Sequence, residues 1–281
     1  GSGSNGCIDA IQLEFGAALR SRDENSETAE KLANAITAYS QKFLPRHERG
    51  DTIRLGVYHD VGVGRSVNDL LDVLKGLERV SVQTLDANDV RSGALADLDL
   101  LIHPGGSGSK QGRHLGEEGR SVIRQFVEEG GGFIGLCAGS YLASADYDWS
   151  LHLLDAKVID RKHWNRGQGT VDIEMTDAGR ELLHMEFKSL SIHYAQGPLL
   201  APANRPDLED FRTLATFETE IARNGAPIGV MKGTTAIAFG RYGHGRVLCF
   251  SPHPEKTNGL EFLVNSAIKL VSRSPDCEEV P

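Results

Sequence analysis

The chain has no Cys-x-x-Cys pair, no His-Glu-x-x-His pattern and no comparable His/Cys cluster. That removes the common structural-zinc, redox and metallohydrolase readings, so no metal and no cofactor are expected. No apolar run approaches the ~20 residues that a membrane-spanning helix needs. There is no internal repeat and no long low-complexity tract. Positive charge is in deficit: 30 Lys and Arg stand against 39 Asp and Glu, a formal net charge of −9, which argues against a nucleic-acid partner. The chain also lacks an initiating Met and opens Gly-Ser-Gly-Ser-Asn-Gly. An expression scar or a removed targeting segment leaves such a start, so these residues stay out of fold reasoning. The compartment is the cytoplasm by default, with export after signal-peptide removal as the alternative. In the exported case Cys7 and Cys277 could pair as a disulfide. The remaining composition, 40% hydrophobic and 25% charged, is that of an ordinary globular protein.

Three short segments carry chemistry. In the first, Gly132-Phe-Ile-Gly-Leu-Cys137-Ala-Gly-Ser-Tyr141, an apolar run ends in Gly-x-Cys-x-Gly and a helix-compatible stretch follows. This is the layout of a nucleophile elbow, where a sharp turn presents a side chain at the start of a helix. The positive helix end favours thiolate at Cys137. A buried core cysteine is the ordinary alternative. In the second, Val247-Leu-Cys-Phe-Ser-Pro-His253-Pro-Glu255, His253 and Glu255 project to the same side of extended backbone, and the two prolines restrict what lies between. Cys137, His253 and Glu255 thus supply a nucleophile, a base and an orienting carboxylate. In the third, Asp99-Leu-Leu-Ile-His-Pro104-Gly105-Gly106, a strand runs into a glycine turn. Backbone N–H groups at Gly105 and Gly106, with that of Ala138, could form an oxyanion hole. The following Ser107–Gly112 has neither phosphate-loop spacing and reads as a strand-to-helix connection.

A Pro-Gly-Gly turn, a Gly-x-Cys-x-Gly elbow and a late His-Pro-Glu, in that order, resemble a class I glutamine amidotransferase domain. The fuller pattern is similar to the domain at the N-terminus of eukaryotic biotin–protein ligases. It lies in residues 131–144, in Ile192-His-Tyr-Ala-Gln-Gly-Pro198 and in residues 243–255. The likeness covers roughly residues 51 to 272. It implies a Cys137–His253–Glu255 triad and a small-molecule amide substrate, with His193, Tyr194, Gln196 and Tyr141 lining the site. If ammonia is the product, it also implies a separate ammonia-accepting protein. Two departures matter. Glutamine-hydrolysing members carry Gln four residues after the nucleophile, where this chain has Tyr141, and a bulky residue directly after the cysteine, where this chain has Ala138. No biotin ligase catalytic domain is present in these residues, so biotin transfer is not predicted.

The expected fold class is α/β: a flavodoxin-like wound, mostly parallel sheet with helices on both faces and antiparallel additions in the second half. Ile53–Tyr58, Val80–Leu85 and Asp99–His103 read as strands. A helix capped by Ser66 carries Val67, Leu70, Leu71 and Leu74, and a second helical face comprises Val122, Ile123, Phe126 and Val127. Later strands are expected at 157–160, 170–175, 189–194, 212–217, 228–232 and 235–241, with a helix at 177–184. Asn258 should cap a last helix whose apolar side is Leu260, Leu263, Val264, Ala267, Ile268 and Val271. The expected organisation is an N-terminal extension over 1–50 with an amphipathic helix (Leu32, Ile36, Tyr39, Phe43), a domain over 51–272 and a tail over 273–281. Two functional classes follow: a cysteine-dependent amidotransferase-like hydrolase, or a non-catalytic metabolite- or protein-binding module on the same fold. A DJ-1/PfpI-type hydrolase is a weaker third, for which Asp60 is the candidate acid. Oligomeric state is not set by the sequence.

Overall fold

The structure, a computed structural model, describes residues 52–272. The expected helix around Leu32–Phe43 and both terminal cysteines, Cys7 and Cys277, lie outside the described residues. Within them the first half alternates strand and helix: β1 (Ile53–Tyr58), α1 (Ser66–Lys75), β2 (Val80–Leu85), α2 (Ala87–Arg91), β3 (Leu100–His103), α3 (Gly108–Glu128), β4 (Gly132–Leu136) and α4 (Ala138–Ala143). The second half holds β5 (Ala156–Ile159), β6 (Gln168–Met175), α5 (Asp177–Leu182), β7 (Ser189–Ala195) and β8 (Leu199–Pro202). It continues with β9 (Arg212–Phe217), β10 (Thr235–Tyr242), β11 (Gly245–Phe250) and α6 (Glu261–Val271).

The main sheet runs β2-β1-β3-β4-β11-β10-β9-β6-β7, with β5 and β8 off this path. The pairs from β2 through β4 to β11 are parallel, and those from β11 to β7 are antiparallel. Every residue of β3 and β4 is buried, which is why these strands read as unbroken apolar runs. The period of two sorts them between two cores. Leu100, Ile102, Ile134 and Leu136 face one with Leu70, Leu74, Leu263 and Ile268, while Leu101 and Phe133 face the other with Leu115, Ile123 and Val127. Helices therefore cover both faces, as a wound parallel sheet requires.

Several local expectations needed correction. Residues 228–232 form turns rather than a strand: Ile228 is 84% exposed, and Gly229 and Gly233 both have φ near +80°. Ser107–Gly112 is mostly the first turn of α3, with Ser107 as its cap. Its glycines serve close packing, since a Cβ on Gly112 would lie 2.1 Å from the Trp149 carbonyl oxygen. Ser66 is the first residue inside α1 rather than its cap, and Asn258 lies short of α6, which Leu260 precedes. The short helix α2 and strand β8 were not expected. Asp86 caps α2 with a reciprocal capping box to Asp89.

Candidate active site

The parallel strands β3, β4 and β11 lie side by side, so their carboxyl ends bring three loops together. Those loops begin at Pro104, Cys137 and Ser251. The register of β4 on β11 extends one step further, as the Cys137 N–H donates to the Phe250 carbonyl at 2.8 Å. Helix α4 begins at the next residue, so the turn is made at Cys137 itself, at φ 49° and ψ −96°. That conformation belongs to glycine, and a side chain holds it only when its surroundings impose it. They do: a Cβ on Gly139 would sit 2.1 Å from the His103 carbonyl oxygen, so α4 lies tight against the end of β3. The Ser140 hydroxyl pins the turn from below, within 2.9 Å of the Gly135 carbonyl and 2.7 Å of that of Phe250.

Cys137 is 6% exposed, His253 4% and Glu255 5%. The Glu255 carboxylate accepts from His253 Nδ1 at 2.6 Å although Pro254–Lys256 forms a 3-10 turn rather than extended chain. Nε2 is therefore the imidazole nitrogen left for Cys137. Burial alone would push His253 down, but the charges of Cys137 and Glu255 outweigh it and hold the imidazole well above its ordinary value. The thiol donates to the Ala195 carbonyl at 3.3 Å. The other described cysteine, Cys249, is a core residue whose thiol burial pushes up to about 12. Equal chemistry thus yields one inert thiol and one set beside an imidazole, and only position separates them.

The remaining predicted residues fall around this centre in distinct places. Gly105 packs on the imidazole: a Cβ there would lie 2.7 Å from His253 Cε1. Gly106 pairs with Val63 in an isolated bridge whose two bonds flank it, so its own N–H points away from the Gly62–Gly64 segment. Ala138 opens α4. His193 bridges to His253 through backbone, its carbonyl accepting from the His253 N–H at 2.7 Å. The Thr257 hydroxyl then donates to the His253 carbonyl and accepts from the His193 N–H, each at 3.0 Å. His193 thus holds the base in place, and burial lowers its own proton affinity. The Tyr141 hydroxyl donates to the Gln196 carbonyl at 3.2 Å, and that of Tyr194, fully buried, to the Gly197 carbonyl at 2.8 Å. Trp164 is 56% exposed, and His103 is buried between the rings of Tyr58 and Phe133. Asp60, the candidate acid of the third reading, is engaged by the N–H of Ala87 and by His114.

Sequence reasoning missed Ser140, Thr257, Asn165 and Arg166. No local motif marks them, and Ser140, Thr257 and Asn165 have partners 110, 64 and 31 residues away along the chain. A cavity of about 370 Å³ borders the carboxylate side of the trio, lined by Asp69, Asp72, Glu255, Thr257 and Glu261 among others. On the thiol side the Ala195 carbonyl meets Cys137, and the next residue, Gln196, is tied to Tyr141 and to Asn165.

Parallel order β2-β1-β3-β4, the elbow and the antiparallel second half together define the flavodoxin-like fold of class I glutamine amidotransferases. Residues 54–164 match the family model described as biotin-protein ligase, N terminal. The matched stretch includes Cys137 and stops well before His253. No curated protein matches the chain by sequence. Among solved structures the chain is similar to a cytoplasmic protein from Salmonella typhimurium, at 14% identity over 79% of this chain and 100% of that one, with a TM-score of 0.51. It is likewise similar to PurLQS from Thermotoga maritima, at 16% identity over 78% of this chain and 98% of that one, with a TM-score of 0.57. At such identities the likeness is one of fold.

Proposed function

We propose that this protein is a cysteine-dependent, amidotransferase-like hydrolase that cleaves an amide through Cys137, His253 and Glu255. The observation that supports it best is the buried His253, flanked by Cys137 and the Glu255 carboxylate, at the mouth of a strained elbow. In this reading His253 takes the thiol proton through Nε2 and Cys137 attacks the amide carbonyl carbon. N–H groups near Gly105, Gly106 and Ala138 hold the developing oxyanion. The imidazolium then protonates the departing amine as the C–N bond breaks, leaving a thioester. Water, deprotonated by the same imidazole, releases the acid and restores the thiol. Glu255 keeps Nδ1 protonated and so keeps Nε2 facing the thiol.

Tyr141 stands where glutamine-hydrolysing relatives carry Gln, and its hydroxyl is committed to the Gln196 carbonyl. Glutamine is accordingly one amide of the test set rather than the assumed substrate. If ammonia is released, a separate protein would take it up. The N-terminal extension, the domain over 51–272 and the tail remain the organisation we propose for the chain. The test is the rate of Cys137 alkylation by iodoacetamide against pH, with His253→Ala alongside, followed by an amide screen with Cys137→Ser as the blank. Reactivity that collapses in His253→Ala supports the hydrolase. A thiol indifferent to His253, with no turnover of any amide, refutes it in favour of a binding module.

A further inference from the structure

Asn165, Arg166 and Gly167 precede β6, and β6 pairs with β7 so that Gln168 lies opposite Ala195. Arg166 follows Asn165, whose side chain is bonded by the Gln196 amide, so it adjoins the Ala195–Gly197 segment. The three carbonyls of this segment accept the Cys137 thiol, the Tyr141 hydroxyl and the Tyr194 hydroxyl in turn. The Gln196 amide reaches back to the Asn165 side chain and closes the link. Arg166 thus adjoins this segment, and its charge is felt at both phenols, as is that of Cys137.

Arg166 is 1% exposed, one of the largest fully buried side chains among the described residues. Half of its fork is committed: Nη2 donates to Asp160, which also accepts from His163 Nδ1 at 2.5 Å. The other half is not, since Nη1 is buried with no hydrogen-bond partner. A buried guanidinium normally uses its whole fork, and the acceptor that matches it geometrically is a carboxylate. Nη1 is reached only when residues that cover it move aside, and Trp164, two positions earlier in the chain, is exposed.

We infer that Arg166 is a substrate-recognition residue whose free Nη1 takes a carboxylate on the amide substrate, so that the preferred substrates are amides bearing an acidic group. This rests on the hydrolase reading for the word substrate, but the anion site can be tested without it. Glutarate, with its neutral isostere glutaramide, is titrated calorimetrically into the wild-type chain and into Arg166→Gln and Arg166→Lys. Expected is glutarate binding that exceeds glutaramide binding and weakens at least roughly tenfold in Arg166→Gln, with Arg166→Lys intermediate. Glutarate should also slow iodoacetamide labelling of Cys137 in the wild-type chain, which places the anion beside the thiol. Absence of glutarate binding, equal binding of the two probes, or binding unaffected by loss of the guanidinium overturns the inference. Should Arg166→Gln not fold, the wild-type comparison of glutarate with glutaramide, read by binding and by thiol protection, decides alone. Arg166-dependent glutarate binding beside an inert thiol would refute the hydrolase and keep the anion site. A reactive, His253-dependent thiol indifferent to glutarate would do the reverse.

Discussion

Replacing Cys137 by glycine should leave the fold at least as stable as replacing it by alanine, the opposite of the usual order. Alanine keeps the φ of 49° and ψ of −96°, and with them strain at the upper end of the ~1–3 kcal/mol that such backbone costs. Glycine relieves that strain. Against this, glycine loses more backbone entropy on folding, about 0.5–1 kcal/mol. It also gives up one buried methyl group, about 0.8 kcal/mol at a site only 6% exposed. Both variants lose the thiol and its bond to Ala195 alike, so the comparison isolates the backbone. On an unstrained turn glycine would be the weaker by roughly 1.5 kcal/mol, the total of those two losses. Here relief of ~3 kcal/mol leaves glycine ahead by roughly 1.5 kcal/mol. Urea unfolding of both variants, with equal slopes, reads the difference as a midpoint shift. A Cys137→Gly protein that unfolds ~1.5 kcal/mol below Cys137→Ala would refute the claim that the elbow stores strain.

Two further outcomes follow from the geometry. Glu255→Gln removes the charge that steadies His253, and hydrogen bonds to charged groups carry ~1.5–3 kcal/mol, so Cys137 alkylation at pH 7 should slow at least tenfold; stopped-time labelling and mass spectrometry check this. His103 titrates at about 4 because burial disfavours its charged form, against which the Gln111 bond works only in part. Its folded value is depressed, so the unfolded chain binds the extra proton and stability falls as pH drops from about 6.5 towards 4. At pH 5 this amounts to roughly 2 kcal/mol relative to pH 7. His253 has the opposite sign: its contribution is full below 6.5 and is lost as pH rises from there through its raised folded value, so it works against the acid loss to the same extent in both chains compared. His103→Phe, which keeps the stacking on Tyr58 and Phe133, should remove about that much of the acid sensitivity in urea titrations at the two pH values; an unchanged pH dependence would contradict it.

The sequence by itself determined the parts whose physics is local. Strands β1, β2 and β9 were read to the residue, because a buried or alternating apolar run ends where turn residues begin. The elbow was legible because a sharp strand-to-helix turn restricts which residues can flank it. His253 and Glu255 could be paired because they are two residues apart. The tertiary structure decided what depends on partners distant along the chain. Residues 228–232 are apolar enough for a strand, but positive-φ glycines at 229 and 233 turn the segment instead. That Gly105 packs against the His253 imidazole was likewise decided by the fold. Only the fold brought Arg166 next to the Ala195–Gly197 segment and left half of its buried guanidinium without an acceptor. Spacing along the chain carries information about turns and short loops. Which side chains share a buried volume is settled by how sheets and helices close over one another.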